Sequence, residues 1–155
     1  MAYDAIAHGA SGILYWGTWM PPKRGSFRQA LFALVSELHI LQPFLVAKEQ
    51  ANIRVFLTES NGRSLGSDRE VRIMARRVGA EWLIVLINED NRFHMGVEVT
   101  GLGKLEGKTL EVLYDSEIAK VQHGTFVTRL RPYEVKAFAT NRKWESVDRN
   151  SRDFQ

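Results

Sequence analysis

The sequence predicts a mainly β protein, an antiparallel β-sandwich of about seven strands preceded by an N-terminal α/β piece. Three observations carry this prediction. Apolar residues recur at helical spacing before residue 46 and alternate with polar residues after it. Turn-forming residues separate the short alternating segments at frequent intervals. Finally, the run Gly-Ile-Leu-Tyr-Trp over residues 12–16 is apolar on both faces of a predicted strand.

The N-terminal piece is predicted over residues 1–47. A short helix of small residues covers about 2–10, and the strand over 12–16 follows it. A strand that is apolar on both faces needs cover on both sides, as in a parallel sheet with helices outside it. Pro21 and Pro22 then predict a loop, because proline does not fit inside a helix.

A long helix is predicted from Ser26 to about Pro43. Ser26 is the expected N-cap, with Gln29 at the capping-box spacing, and Pro43 ends the helix or disturbs its last turn. We expect the apolar face of this helix to pack on the strand over 12–16. That face consists of Phe27, Ala30, Leu31, Leu34, Val35, Leu38 and Leu41.

The β domain is predicted over residues 50–140, followed by a polar tail over 141–155 that we expect to fray. Gly79-Ala80 predicts a tight hairpin, and Trp144 could latch the tail onto the sandwich. The predicted strands cover residues 53–57, 71–78, 81–88, 93–99, 109–114, 125–130 and 134–139. Several short strands with frequent turns are typical of a sandwich or barrel.

Composition excludes several classes of function. The chain has 155 residues and a net charge of +3, with basic residues scattered among acidic ones, so no nucleic-acid interface is predicted. The densest basic group, Arg69, Arg72, Arg76 and Arg77, is expected to lie on solvated strand faces. The absence of cysteine excludes disulfides, thiolate catalysis and sulfur-ligated metals.

Neither a signal peptide nor a membrane span is predicted, so we expect a soluble protein whose compartment is undetermined. No cofactor or metal site is predicted either, because the four histidines lack metal-ligand spacing: His8, His39, His94 and His123.

Two further residue patterns were weighed as sites. Asp115, Ser116 and His123 offer the residue types of a hydrolase, but the Gly-x-Ser-x-Gly elbow is missing. Trp82 alternates with apolar residues along its strand, which predicts a core position for it rather than contact with a ligand.

Two regions together resemble a known family. The segment YDAIAHGASGILYWGTW resembles the final helix–strand step of the (β/α)8 (TIM) barrel of clan A-type glycoside hydrolases. The segments AEWLIVLIN and GTFVTRLRPYEVKAF resemble the small C-terminal sandwich attached to many such barrels. The resemblance spans most of residues 2–140 and keeps the order of the two parts.

The resemblance implies that the chain is the C-terminal portion of such a hydrolase. In the family the two catalytic Glu residues lie at the ends of the fourth and seventh barrel strands, before the region that this chain matches. No catalytic residue is therefore carried over. Trp16 matches the aromatic residue that forms a platform beneath the sugar, and Trp19 is its neighbour in the following loop. The alternative is that both are packed core aromatics.

Two classes of function remain open at this point. In the first, the sandwich supports a catalytic barrel and can contact glycan. In the second, the chain is a stand-alone carbohydrate-binding protein or a small hydrolase with its own site. Unpaired strand edges in the N-terminal piece favour a homo-oligomer formed through that piece. The alternative is that the long helix folds back on the sandwich and hides the strand.

Overall fold

The computed structural model describes residues 2–14, 25–60 and 71–145, which form three layers. Two helices cover a five-stranded sheet, and this sheet packs on a three-stranded one. The helices are α1 (Ala2–Ala7) and α2 (Ser26–Leu45), with 3₁₀ turns at Gly103–Leu105 and Arg142–Trp144. The strands are β1 (Arg54–Ser60), β2 (Val71–Val78), β3 (Glu81–Asn88), β4 (Met95–Thr100), β5 (Thr109–Val112), β6 (Ile118–Lys120), β7 (Phe126–Leu130) and β8 (Val135–Ala139).

Both sheets are antiparallel, which confirms the predicted fold class. The larger sheet has the order β2-β3-β8-β5-β6 and the smaller one the order β1-β4-β7. The described residues contain one strand more than the seven predicted. The additional strand, β6, has three residues, which is too short for its alternation to stand out in the sequence.

The β2–β3 hairpin sets the register of the larger sheet. Val78 pairs with Glu81, and pairing continues without a slip to Val71 opposite Asn88. Gly79 adopts φ +59° in the turn, a conformation that glycine takes without steric cost. The predicted Gly79-Ala80 hairpin is confirmed.

The first core lies between the two sheets. From β3 it receives Trp82, Ile84 and Leu86, all buried, so the core position predicted for Trp82 is confirmed. The rings of Phe126 and Phe138 meet at the centre with their centroids 4.8 Å apart. Fully buried Met95, Val97 and Val99 contribute the facing side of the smaller sheet.

The second core lies between the larger sheet and the helices. The other face of β3 carries Leu83, Val85 and Ile87. These side chains pack against Leu41 and Phe44 of α2. Because β3 is covered on both faces, its sequence reads as a continuous apolar run rather than an alternating one.

The buried stripe of α2 differs from the predicted one. The residues of α2 that are buried are Ala33, Glu37, Leu41 and Phe44, which follow one another at four- and three-residue intervals. Of the predicted apolar face, Leu41 is fully buried, whereas Phe27 and Val35 stay exposed. The helix turns this stripe toward the larger sheet, so the alternative in which it folds back on the sandwich describes its packing.

The two ends of α2 also depart from the predicted caps. Gly25, in extended conformation, precedes the first helical residue, and no side chain caps the helix there. Ser26 is thus the first helical residue and not the N-cap. Pro43 lies inside the last turn, which continues to Leu45. Pro43 therefore does not end the helix, although it lacks the N–H that a helical residue donates.

Residues 12–14 have no regular secondary structure, in contrast to the strand predicted over 12–16. Leu14 is 86% exposed. A lone segment cannot form a strand without a neighbour that accepts and donates its backbone hydrogen bonds. Within the described ranges, no strand lies beside these residues. Residues 15 and 16 lie outside the described residues.

The chain continues after β8 into the 3₁₀ turn over Arg142–Trp144. Asn141 accepts a hydrogen bond from the Lys143 N–H and starts the second 3₁₀ turn. Trp144 packs edge-on against Phe44, with their ring centroids 4.7 Å apart. Residues 141–145 of the predicted tail are therefore held in place rather than frayed. The ring that Trp144 contacts belongs to α2, whereas the predicted latch was onto the sandwich. None of the helices described here is long and apolar enough to cross a membrane.

Gly101→Ala is expected to destabilise the protein more than Gly79→Ala. Both glycines have positive φ, where alanine costs about 1–2 kcal/mol. An added Cβ at Gly101 would lie 2.2 Å from the Asn52 carbonyl oxygen. A Cβ added at Gly79 would meet no atom within 4 Å. Displacing that backbone adds about 1–3 kcal/mol. Urea denaturation of both variants measures the difference, and equal losses would contradict the close approach.

Candidate functional site

An apolar groove of about 520 Å³ lies between α2 and the stretch formed by α1 and the residues after it. The end of α1 and the following residues form one wall, and α2 forms the other. The lining residues are Ile6, Ala10, Ser11, Gly12, Ile13, Val35, Leu38, Gln42, Leu45 and Val46. Val35 and Leu38 belong to the apolar face predicted for α2, so that face lines the groove.

Large apolar side chains are exposed on α2 and just after it. Phe27, Phe32 and Val35 on α2 are 61%, 57% and 47% exposed, and Val46 after the helix is 74% exposed. Clustered exposed apolar residues mark surfaces that bind other proteins or ligands. The helix α2 is thus apolar on the face that contacts the sheet and on part of the face that does not.

A buried polar contact fixes the two walls of the groove relative to each other. The Tyr3 hydroxyl on α1 donates a hydrogen bond to the carboxylate of Glu37 on α2. Both residues are buried, at 6% and 2% exposure. A buried carboxylate is costly unless hydrogen-bonded, so this contact ties the position of α1 to that of α2.

A charged network joins α1 to the larger sheet. His8 Nδ1 donates to the Asp4 carbonyl oxygen at 2.9 Å, and its Nε2 lies 3.5 Å from a Glu89 oxygen. Asp4, His8 and Glu89 have the spacing of a three-ligand metal site. The Arg72 guanidinium, however, lies 2.7 Å from His8 Nε2 and 3.4 Å from Glu89. A guanidinium there supplies the positive charge itself, so the group is best described as an ion-pair network.

The predicted basic group is dispersed by this arrangement. Arg72 belongs to the network just described, and Arg76 binds Glu49 at 2.9 Å with its side chain 19% exposed. Arg77 lies over the Trp82 ring, 5.5 Å from its centroid. Arg76 is therefore largely buried rather than on a solvated face, because β2 presents alternate residues to the helical layer. Arg69 lies outside the described residues.

Trp16 and Trp19, the two predicted substrate-contact residues, lie outside the described residues. The chain that leads to them is described as far as Leu14. Gly12 and Ile13, which precede Leu14, line the groove. The hydrolase candidates Asp115 and His123 bind different neighbours. Asp115 accepts from the Glu117 N–H, and the His123 N–H donates to Glu106.

A second cavity, of about 300 Å³, lies at one end of the sandwich and is lined almost entirely by charged groups. Its lining is His94, Asp115, Glu117, Arg129, Leu130, Arg131, Glu134 and Lys136. The sequence analysis missed this cavity. The spacing of Arg129 to Arg131 and of Glu134 to Lys136 was the available signal, because residues two apart on a strand share a face.

Lys136 anchors the wall of this charged cavity from inside the sandwich. It is 9% exposed, and its Nζ lies 2.5 Å from Glu117 Oε2. Thr128 on the smaller sheet donates to Glu117 Oε1 at 2.8 Å and lies 3.4 Å from Lys136 Nζ. The group therefore links the two sheets by polar contacts where the apolar core ends.

The turn between β7 and β8 forms another part of the wall. Glu134 accepts three hydrogen bonds from Arg131: Nε at 3.0 Å, Nη2 at 2.7 Å and the backbone N–H at 2.6 Å. Burial raises the pKa of Glu134, but the hydrogen bonds from Arg131 lower it by more than burial raises it. The pKa of Glu134 therefore lies below the ordinary 4.5. Ionised Glu134 thus holds the turn together through its hydrogen bonds with Arg131.

Buried Asn88 at the end of β3 supports the same turn. Its amide donates to the carbonyl oxygens of Phe93 and Arg131, each at 2.9 Å. Its side-chain oxygen accepts from the Asp90 N–H at 3.0 Å, and the Asp90 carbonyl accepts from the Tyr133 N–H at 3.0 Å. One buried amide thereby holds the turn to the strand end and to the loop after it.

Comparisons with known proteins give the fold a context. No family model and no curated protein matches the chain. A solved Anoxybacillus α-amylase, described as representing a new glycosyl hydrolase subclass, is similar over 76% of this chain, with 15% identity and a TM-score of 0.51. The structure of AmyP in complex with maltose is similar over 77%, with 15% identity and a TM-score of 0.50.

The similarity covers a minor part of those proteins. This chain spans 23% of the Anoxybacillus α-amylase and 22% of AmyP. It therefore has the fold of about a fifth of an α-amylase structure. At this identity the likeness concerns the fold, so activity and ligands are not transferred with it.

Arg131→Met is expected to destabilise the protein more at about pH 7 than at about pH 3. Because the pKa of Glu134 is depressed in the folded state, its contribution to stability is present above the ordinary 4.5 and is lost as the pH falls through the folded value. Removing the Arg131 donors removes that contribution. Urea midpoints at the two pH values measure the effect, with exposed Lys120→Met as the control. An equal loss of stability at both pH values would contradict a stabilising role for the ionised Glu134 carboxylate.

Proposed function

We propose that this chain is the C-terminal portion of an α-amylase-type glycoside hydrolase, in which the sandwich supports the catalytic barrel through the helical layer. The domain division, with the last barrel unit over 1–47, the sandwich over 50–140 and a tail over 141–155, is part of this proposal. The fold shared with part of two α-amylase structures supports it, as does the resemblance of the segments before residue 20 and around β3 and β8.

The observation that carries the proposal is the two-sided apolar character of α2. One side of the helix is buried on the sandwich through Leu41 and Phe44. The other side carries exposed Phe32 and Val35, and Val35 lines the apolar groove. A helix that only capped a sandwich would carry polar residues on its outer side. An apolar outer side suits a helix placed between the sandwich and a further layer of protein.

In this proposal the catalytic carboxylates come from the barrel. Retaining glycosidases need two of them about 5–5.5 Å apart on either side of the scissile bond. We assign that role to no carboxylate of this chain. Trp16 and Trp19 are proposed as substrate contacts, because a Trp ring offers a large apolar face to the C–H face of a sugar and an N–H at its edge.

For the chain by itself we propose a homo-oligomer through the outer side of the helical layer. Exposed Phe32 and Val35, which lie three residues apart and so share one face of α2, would lie against the same residues of a second copy, which removes them from water. Such a contact uses one patch on both subunits and so closes into a symmetric dimer.

Val35→Glu is expected to shift the chain from dimer to monomer. The new carboxylate would be buried against apolar groups in the dimer, whereas it is solvated in the monomer. Sedimentation velocity over a range of concentrations measures the change. Val127→Glu, at a 68% exposed position on β7, is the matched control and should leave the dimer intact. A wild-type chain that stays monomeric at high concentration would contradict this mode of association.

Trp16→Ala is expected to weaken binding of maltotriose by about tenfold or more, because it removes the proposed platform. Trp144→Phe keeps an aromatic ring against Phe44 and should bind maltotriose like the wild type. Tryptophan fluorescence during titration reports the affinity of each protein. Equal affinity of Trp16→Ala and wild type would remove Trp16 from the proposed site.

A further inference from the structure

A stripe of residues along the outer side of α2 has the spacing of a helix–helix contact. Successive members are four or three residues apart, so they lie on one side of the helix, opposite buried Glu37 and Leu41. This repeat is typical of the seam along which two helices pack. The outer stripe consists of Arg28, Phe32, Val35, His39, Gln42 and Val46.

We propose that this chain dimerises through an antiparallel pair of α2 helices and that protonation of His39 dissociates the pair. The inference rests on the homo-oligomer of the proposed function. It adds the orientation of the two copies and the control of their association by pH. His39 is exposed in the single chain, and a second copy that lies on the outer stripe encloses it.

The charge of Arg28 favours the antiparallel orientation. Arg28 is the only residue of the outer stripe with a permanent charge, and its guanidinium lies over the Phe32 ring, 5.3 Å from the centroid. A parallel pair would place the two guanidinium groups side by side, where like charges repel. An antiparallel pair places each guanidinium at the C-terminal end of the other helix. The carbonyl groups there attract a cation, and the last turn of α2 has no basic residue of its own.

The antiparallel orientation also determines the neighbours of His39. When the two outer stripes are matched end to end, Phe32 faces Gln42 of the second copy and Val35 faces His39 of the second copy. On its own helix, His39 lies between Val35, four residues before it, and Gln42, three residues after it. Dimer formation therefore moves the imidazole from water to a surrounding of methyl groups and an uncharged amide.

The chain itself places no carboxylate on the outer stripe to balance a charge on His39. Glu37, the only acidic residue of α2, is buried on the opposite side, where α1 donates a hydrogen bond to it. Across the groove, the lining residues from α1 and the stretch after it are uncharged. Asp4 and His8 of α1 belong to the ion-pair network with the larger sheet.

The second copy adds only positive charge near His39. In the end-to-end match the two His39 residues are offset by four residues, about 6 Å along the helix axis. Two protonated rings at this separation repel each other, and Arg28 of the second copy has the same sign. An imidazolium in this contact loses its hydration without gaining a counter-ion.

The sign of the pH dependence follows from this difference between the single chain and the dimer. Imidazole side chains gain their proton between about pH 8 and pH 5. Exposed His39 binds the proton readily in the single chain, whereas enclosure in the dimer opposes it. The dimer is therefore favoured at the upper end of this range and is lost as the pH falls. We expect its Kd to rise at least about tenfold between pH 8 and pH 5.5.

Sedimentation velocity of the whole chain over a range of concentrations, at both pH values, measures this change. EDTA is present throughout, so that a metal ion bridging two histidines does not contribute. His39→Gln has no titratable group at this position, and we expect its Kd to be the same at both pH values within about twofold. The matched control is His123→Asn, since exposed His123 belongs to the sandwich and asparagine tolerates its positive φ. This control should respond to pH like the wild type.

Disulfide formation tests the orientation, because the chain contains no cysteine of its own. In the antiparallel pair, an equimolar mixture of Phe32→Cys and Gln42→Cys should form a mixed disulfide at pH 8. Gln42→Cys alone should not, because its two copies lie about 15 Å apart along the axis, beyond the reach of a disulfide. Efficient cross-linking of Gln42→Cys alone would indicate a parallel pair and would overturn the orientation.

The outcomes separate this inference from the proposed function. A dimer with the same Kd at both pH values would overturn the control by His39 and leave the homo-oligomer standing. The same holds for a dimer that responds to pH equally in His39→Gln and in the wild type. A chain that is monomeric at both pH values would overturn the homo-oligomer and this inference together.

Discussion

The burial of β3 on both faces is the constraint on which the rest of the structure depends. Its residues alternate between two cores, so Leu83 contacts the helical layer while the next residue, Ile84, contacts the sandwich core. The helices cannot leave without exposing one full row of this strand. That requirement holds α2 to the sheet and leaves its remaining apolar residues on the outside. The groove is therefore a consequence of how the inner face of the helix is used.

The polar groups that the sandwich buries are concentrated at one end of it. Asn88 and Lys136 are both nearly inaccessible and lie close to the turn between β7 and β8. Buried polar groups of this kind stabilise a fold less than apolar side chains of similar volume would. What they provide is a fixed arrangement of donors and acceptors. The end of the sandwich that carries the cavity is thus held by directional contacts, and the centre is held by apolar packing.

Much of the fold could be predicted from the sequence, because period and turn residues are local signals. The hairpin at Gly79 and the core position of Trp82 are of this kind. The buried stripe of α2 could not be predicted, since apolar residues occur on two sides of that helix and tertiary contacts decide which side faces the sheet. The strand over 12–16 was predicted from an apolar run alone. A strand also requires a partner, which a local pattern does not contain.

The same limit applies to the sites. Trp16 and Trp19 came from a resemblance, and the charged cavity escaped notice because its lining residues are spread between His94 and Lys136. Each of them reads by itself as an ordinary surface charge. Their meeting depends on the pairing of β8 with β3 and on a buried amide, Asn88, that draws the turn inward. Sequence spacing indicated a shared face for neighbours on one strand, but not the convergence of several.

The placement of two tryptophans has a practical consequence. Trp82 lies in the core between the sheets, whereas Trp144 lies edge-on to Phe44 in the layer between sheet and helix. Each interior thus has its own chromophore in a fixed asymmetric environment. In variants that keep only one of these tryptophans, aromatic circular dichroism would follow the unfolding of each core separately. The two tryptophans therefore show whether the layers of the protein unfold together or one after the other.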